Sequence, residues 1–221
     1  MNYQWQWDVI WQYRQVLIDG LLATLQLVLT ALPLSVLLGL LIGCGRSFLV
    51  GRLFVLGKLC EGYVEFFRNI PPIVQFFFWC FAVGLNVFPA ALVALSVSSS
   101  AYIAEIFRAG IASIPKAQSE AARSSGLSEW QAVLHVLLPQ TFIRVIPPLS
   151  IEFINIVKNS SVAMTIGFAE LTFATQEIEA RSFRGFEAAT AVTALYVLLS
   201  SVIVIAMHGV ERAVRLDLRK G

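Results

Sequence analysis

Apolar residues along this chain arrive in long blocks, at about Gly20–Cys44, Leu56–Val83, Ala90–Phe107, Val145–Ile166 and Ala188–Met207. Crossing the hydrocarbon core of a bilayer takes ~20 residues of helix. Blocks of this length and apolarity predict an all-α transmembrane chain with five transmembrane helices. The first block is apolar throughout, and its Gly39 and Gly43 leave room for a neighbouring helix to approach closely. The second is interrupted by Glu61, Glu65 and Arg68 and then by Pro71-Pro72, where the missing backbone donors predict an unwound or kinked helix. The third is rich in small residues, and the fourth carries Glu152 and Lys158.

The longest stretch without a membrane-length block is Lys116–Gln140. Pro115 suits the start of a short helix carrying Gln118, Glu120, Ala121, Ala122 and Arg123. Gly126 supplies the left-handed residue that ends many helices. Ser128 with Gln131 three residues on forms a capping box for a second short helix, which Pro139 is expected to stop. The pattern predicts a helix–Gly–helix elbow between spans, a handle for a partner protein.

Composition excludes the soluble classes. The chain has 221 residues, 57% of them hydrophobic and 14% charged. A net charge of +2 gives no case for a nucleic-acid partner, but its distribution sets an orientation. Arg46, Arg52 and Lys58 follow the first block, Arg108, Lys116, Arg123 and Arg144 the third, and Arg212, Arg215, Arg219 and Lys220 the fifth. The opposite side holds Arg14, an uncharged Gly84–Pro89 turn and an acidic loop with Glu170, Glu177, Glu179 and Glu187. The positive-inside rule then sets the N-terminus outside and the C-terminus and elbow in the cytoplasm of a multi-pass inner (plasma) membrane protein. Residues 1–19 form an extracytoplasmic segment with Tyr3, Trp5, Trp7, Trp11 and Tyr13 at headgroup level, 20–211 the transmembrane domain with its loop at about 113–140, and 212–221 a basic cytoplasmic tail. The first residues lack the basic start, apolar run and cleavage site of a signal peptide, so the first span is expected to be its own uncleaved insertion signal.

Cys44, Cys60 and Cys80 are an odd set inside or beside apolar segments and read as buried reduced thiols. His135 and His208 stand alone, so no metal site is expected. No Gly-rich phosphate loop is present, and ATP hydrolysis is expected elsewhere.

Glu120-Ala121-Ala122, Gly126 and Leu138-Pro139 resemble the EAA loop of ATP-binding cassette (ABC) importer permeases. The likeness extends to Tyr63–Gln75, Ser98–Ile111, Lys158–Ser161 and Phe183–Glu187, which resemble segments of the polar amino acid permeases in order and spacing. The family often has Gly at Asn69, Asn-Ser-Gly at Ser98-Ser99-Ser100 and Pro at Gly185. The resemblance implies the type I ABC importer permease fold and a permease subunit, not an enzyme. It makes Lys116, Glu120, Ala121, Ala122, Gly126, Leu138 and Pro139 the surface coupled to an ATPase. It also implies an ABC ATPase dimer that binds ATP and Mg, a second permease chain (related, or another copy) and an extracytoplasmic amino acid binding protein, with membrane lipid around them. No cofactor is expected on this chain itself. Arg68-Asn-Ile-Pro-Pro-Ile-Val-Gln, Val157-Lys-Asn-Ser-Ser and the Val210–Leu216 tail are most like the glutamate/aspartate branch, with glutamine, asparagine and basic amino acids as alternatives.

Charges within spans mark pathways or pairs. Glu65 and Arg68 stand three apart on one helix face and are expected to form an intramembrane ion pair. Asn69 to Gln75 is expected to line a cavity beside the Pro71-Pro72 break. Lys158, Asn159, Ser160 and Ser161 form a second polar island, with Ser98, Ser99 and Tyr102 able to complete the same path. Packing readings stand beside these: Lys158 snorkelling or bridged to Glu152 or Glu105, and serines bonded back to their own helix. An intramembrane enzyme or a proton-coupled carrier built on Glu61, Glu65, Arg68 and Lys158 is the rival from another class.

Overall fold

Long apolar runs become long helices. The computed structural model describes residues 3–48 and 54–217, and among these every regular element is helical. The order is α1 (Asp8–Gln12), α2 (Arg14–Phe48), α3 (Phe54–Asn69), α4 (Pro72–Phe77), α5 (Val87–Ala112), α6 (Lys116–Ser124), α7 (Glu129–Ala132), α8 (Leu138–Ser160), α9 (Leu171–Ser182) and α10 (Gly185–Asp217). Among the described residues four stretches are long and apolar enough to cross a membrane: Arg14–Ser47, Val87–Ala112, Glu129–Ile166 and Gly185–Val214. The remaining expected span is delivered in two pieces. α3 ends at Asn69, Pro71 adopts an extended ψ of 137°, and α4 restarts at Pro72 and continues as a π-helical turn over Phe78–Ala82. Arg52, Arg219 and Lys220 of the expected basic clusters lie outside the described residues.

Two features depart from expectation. Pro139 does not stop the second elbow helix. α7 runs into a π-helical turn at Val133–Leu137, and Pro139 is the second residue of α8, which continues to Ser160. The wide turn changes the hydrogen-bond register just ahead of the proline, so its missing N–H falls where the ladder is already interrupted. The stretch read as an acidic loop contains a helix of its own, α9, capped by the Glu170 carboxylate, which accepts the N–H groups of Thr172 and Phe173 at 2.9 Å.

The chain divides into two units. One takes in the residues up to Leu34, Ile70–Ser98 and Ile154–Val202. Its core joins Val9 and Leu17 to Leu171, Ala174 and Ile178 of α9 and to Ala188 and Val192 of α10. Thr24 ties α2 to α9, its hydroxyl donating to the Gly20 carbonyl at 3.0 Å and accepting the Leu171 N–H at 3.1 Å. The N-terminal segment is pinned to the head of α10. The fully buried Glu187 carboxylate accepts the Tyr3 hydroxyl and, at 2.8 Å, the Gln6 N–H.

The other unit comprises Ser35–Asn69, Ser99–Phe153 and the chain from Ile203 on. Ile103, Phe107, Val145 and Leu149 form its core. The expected close approach at Gly39 and Gly43 is present: a methyl on Gly39 meets the Ile103 side chain and the Ser100 carbonyl (2.9 Å), and one on Gly43 meets the Ala104 carbonyl at 2.8 Å. Cys44, Cys60 and Cys80 are free thiols, half-buried.

Candidate functional site

Local chemistry builds the elbow. Pro115 occupies the residue before α6, with φ −57° and ψ 135°, and its carbonyl accepts the Gln118 N–H at 3.0 Å. At the other end Leu127 N–H reaches the Ala122 carbonyl (3.2 Å) and Gly126 N–H the Arg123 carbonyl (3.0 Å). This pair of bonds is a Schellman cap, and it needs a left-handed residue between them. Gly126 supplies it, with φ +87°. Ser128 and Gln131 then make both halves of a capping box for α7. Arg123 and Glu129 approach to 3.8 Å across the turn, and Arg144 donates to the Ser113 carbonyl at 2.8 Å, tying the elbow's base to α8.

Of the elbow residues singled out in the sequence, Lys116, Glu120, Ala121, Gly126 and Pro139 are exposed, Leu138 is half-buried and Ala122 is buried. Ala122 and Ala132 face inward, while Trp130, 63% exposed, and Leu134 face outward beside the polar residues. Trp130 is an exposed elbow residue that sequence reasoning did not single out. It reads as one more apolar residue of a helix, and only its exposure marks it as available to a partner.

The expected Glu65–Arg68 ion pair is not the one the chain makes. Arg68 instead faces Glu105 of α5 at 3.9 Å and lies over the Tyr102 ring, 5.4 Å from its centroid. Glu65 is exposed, and its backbone carbonyl receives the Asn69 amide at 2.7 Å. α3 ends one residue beyond Arg68, and the arginine's long side chain gains more from a half-buried carboxylate than from an exposed one on its own helix. Glu105 is the hub of a larger cluster. It also receives Arg46 at 2.6 Å and Arg108 through two guanidinium nitrogens, while Glu61 meets Lys58 at 2.6 Å and Arg46 at 3.5 Å. The i, i+3 spacing of Glu105 and Arg108 was the signal available in the sequence.

The other polar positions sort by burial. Asn69 is exposed at the end of α3. Gln75 is buried and its amide donates to the Ile70 carbonyl at 3.2 Å, across the Pro71-Pro72 break. Ser98, Ser99 and Ser100 are buried within α5, Ser100 sharing a 2.7 Å hydrogen bond with the Tyr63 hydroxyl. Tyr102 is part-exposed beside Arg68. Ser160 is fully buried and bonds back to the Val157 carbonyl at 2.7 Å, as the packing reading expects. Lys158 and Ser161 do come together, on a groove of about 370 Å³ shared with Thr172, Thr175, Thr193 and Tyr196. Among the described residues no carboxylate lines it. Asn159 is half-buried beside this groove in sequence but is not among its lining residues. Glu170 stands behind the groove, fully buried and bonded to the Tyr196 hydroxyl, and burial pushes its carboxyl above the ordinary range.

This helical arrangement matches known proteins over nearly its whole length. The glutamine transport system permease protein GlnP of Escherichia coli K12 is 34% identical over 220 residues, 96% of this chain and 99% of that protein. The glutamate/aspartate import permease protein GltJ of the same organism is 32% identical over an alignment of 242 positions, covering 98% and 97%. Among solved structures, an amino acid ABC transporter with histidines superposes with a TM-score of 0.87 at 31% identity, covering 96% of this chain and all of that one. The MetNI methionine ABC transporter, in an inward-facing conformation, follows at a TM-score of 0.76 and 25% identity over 91% of this chain and 97% of that one. The family model for binding-protein-dependent transport system inner membrane components matches residues 31–216. The chain belongs to that family of inner membrane transport components, and its fold is the type I ABC importer permease fold.

Proposed function

We propose that this chain is the permease subunit of an ABC importer that carries polar amino acids, glutamate or aspartate foremost, with its N-terminus outside and its C-terminus in the cytoplasm. The observation that carries the reading is the elbow: two short helices set by a left-handed glycine and a complete capping box, presenting Lys116, Glu120, Ala121 and Trp130 outward. Such a rigid, exposed corner suits transmission of force from a partner. An ATPase pair binding ATP and Mg drives it, closing together and pulling the elbows of two permease chains, this one and a related chain or second copy. A binding protein delivers substrate from outside. In this reading residues 20–211 are the transporter domain and 212–221 its cytoplasmic tail.

The substrate path takes in Lys158, Asn159, Ser160 and Ser161, with Asn69, Gln75, Ser98, Ser99 and Tyr102. The groove at Lys158 supports it, because a lysine among hydroxyls with no lining carboxylate suits a carboxylate group. An acidic substrate adds a second constraint. A carboxylate ~4 Å from it costs about 4 kcal/mol at an effective dielectric near 20, and Asn159 is an uncharged amide. Glutamine is the second reading, favoured by the 34% identical relative. Competition uptake in whole cells separates them: Asn159→Asp is expected to depress glutamate and aspartate uptake far more than glutamine uptake. Equal loss for all three removes Asn159 from the path, and a wild type that prefers glutamine moves the assignment to the amide.

A further inference from the structure

A second groove, of about 440 Å³, lies where the end of α2, the start of α3 and the end of α5 meet, lined by Arg46, Ser47, Phe54, Lys58, Glu61 and Arg108 among others. That volume lies within the usual range for small-molecule sites. The charges around it do not cancel. Among the described residues Arg46, Lys58, Arg68 and Arg108 form one connected network with Glu61 and Glu105, four cations against two carboxylates. Donors are also left over. Arg108 spends Nε and Nη2 on Glu105, and among the described residues its Nη1 donates to nothing. Among the described residues Lys58 meets the Glu61 carboxylate and the Phe54 ring, 5.7 Å from its centroid, and its side chain is 59% exposed.

The flank of this groove is apolar and uncovered. Phe54, Val55 and Leu59 are 55%, 68% and 64% exposed, and at spacings of one, four and five residues they share a face of α3 with Lys58. A lysine set in an exposed apolar face buries its stem in hydrocarbon and lifts its ammonium to the polar boundary. A free anion has no use for such a flank, whereas acyl chains do. We infer that this groove binds the phosphodiester headgroup of an anionic phospholipid, Lys58 and Arg108 receiving the phosphate while the acyl chains lie along Phe54, Val55 and Leu59. The inference rests on the orientation proposed above, which sets the groove at the cytoplasmic leaflet, where basic pockets between helices meet anionic headgroups.

The test uses the full chain, with the subunits that copurify, in phosphatidylcholine nanodiscs with and without phosphatidylglycerol. Bound phosphatidylglycerol is counted by native mass spectrometry and the thermal midpoint is followed. The wild type is expected to retain phosphatidylglycerol and to be stabilised by it, and high salt to weaken both. Lys58→Gln is expected to weaken retention about five-fold, the contribution of one basic residue near an anionic surface. Lys58→Arg is expected to preserve it. Glu61→Gln, which removes a competing carboxylate, is expected to strengthen retention about five-fold, a gain that misfolding cannot imitate. Retention indifferent to Lys58 and Glu61 overturns the inference. Inorganic phosphate that reproduces the stabilisation in pure phosphatidylcholine discs overturns the lipid assignment in favour of a free anion. Lys58→Gln that leaves lipid unchanged but releases a copurifying subunit overturns it in favour of a protein contact. Because no transport is measured, a chain that holds lipid through Lys58 yet imports nothing contradicts only the proposed function.

Discussion

Ser128 and Gln131 satisfy each other twice: the Ser128 hydroxyl accepts the Gln131 N–H at 3.3 Å, and the Gln131 side chain accepts the Ser128 N–H at 2.9 Å. With only four residues in α7, this reciprocal cap holds a large share of the helix's orphan donors. Ser128→Ala is expected to cost the elbow about 1 kcal/mol. Amide exchange at Gln131 then quickens about five-fold, while exchange in α10 is unchanged. An unchanged Gln131 rate means the cap does not hold the turn.

Glu105 and Glu65 make a matched pair for mutation. Glu105 answers three guanidinium groups from a half-buried site, and Glu65 is exposed with no ion pair among the described residues. Glu105→Gln leaves Arg46, Arg68 and Arg108 crowded together without their shared carboxylate and is expected to cost about 2 kcal/mol, part of the fully buried penalty. Glu65→Gln is expected to stay within about 0.5 kcal/mol of wild type. Thermal midpoints of the two purified variants check this, and a larger loss for Glu65→Gln contradicts the assignment of Arg68 to Glu105.

What the sequence made legible was local or long. The apolar blocks admit no reading but membrane helices, the Pro71-Pro72 break removes donors where α3 and α4 part, and Gly126 with Ser128–Gln131 carries its turn chemistry in adjacent residues. What escaped depends on distance or on compensation. Arg68 finds Glu105 on another helix, and Tyr3 finds Glu187 from 184 positions away. Pro139 is absorbed by a π-helical turn that no neighbouring residue announces. α9 begins at a glutamate cap outside the preferred Ser, Thr, Asp and Asn set, so its start was hidden. The groove at Lys158 was only partly legible, because the serine that lines it (Ser161) and the fully buried one beside it (Ser160) look alike in sequence, and both donate to a carbonyl three residues back.

Glu170 gives a pH signature. Burial raises its carboxyl above the ordinary 4.5, against the opposing hydrogen bonds from Thr172, Tyr196 and Phe173. The folded state then binds more protons than the unfolded state between those two values, so stability falls as pH rises from about 4.5 through the raised value. Glu170→Gln lacks that titration while keeping an acceptor for the α9 cap. The difference in thermal midpoint between variant and wild type is expected to move in the variant's favour as pH rises through this window. A difference that moves the other way contradicts the burial of a titrating Glu170.

Orientation is open to direct labelling. In a background lacking Cys44, Cys60 and Cys80, a cysteine replacing the exposed Gln4 or Glu179 is expected to react with an impermeant thiol reagent applied outside. One replacing Ser119 on α6 is not. The reverse pattern overturns the orientation and removes the elbow from the ATPase side.

The central claim is that the elbow grips an ATPase. Gly126 tests it cleanly, because a Cβ there meets no atom within 4 Å and the backbone φ of +87° is the whole obstacle. A β-branched valine opposes that conformation by at least about 1–2 kcal/mol, whereas asparagine tolerates it. The decisive measurement is recovery of the co-expressed ATPase with the affinity-purified chain. Gly126→Val is expected to lose about five- to thirty-fold of the ATPase held by wild type, Glu120→Lys to lose it through reversed charge on the exposed face, and Gly126→Asn to keep it. Full recovery of ATPase with both Gly126→Val and Glu120→Lys contradicts the account.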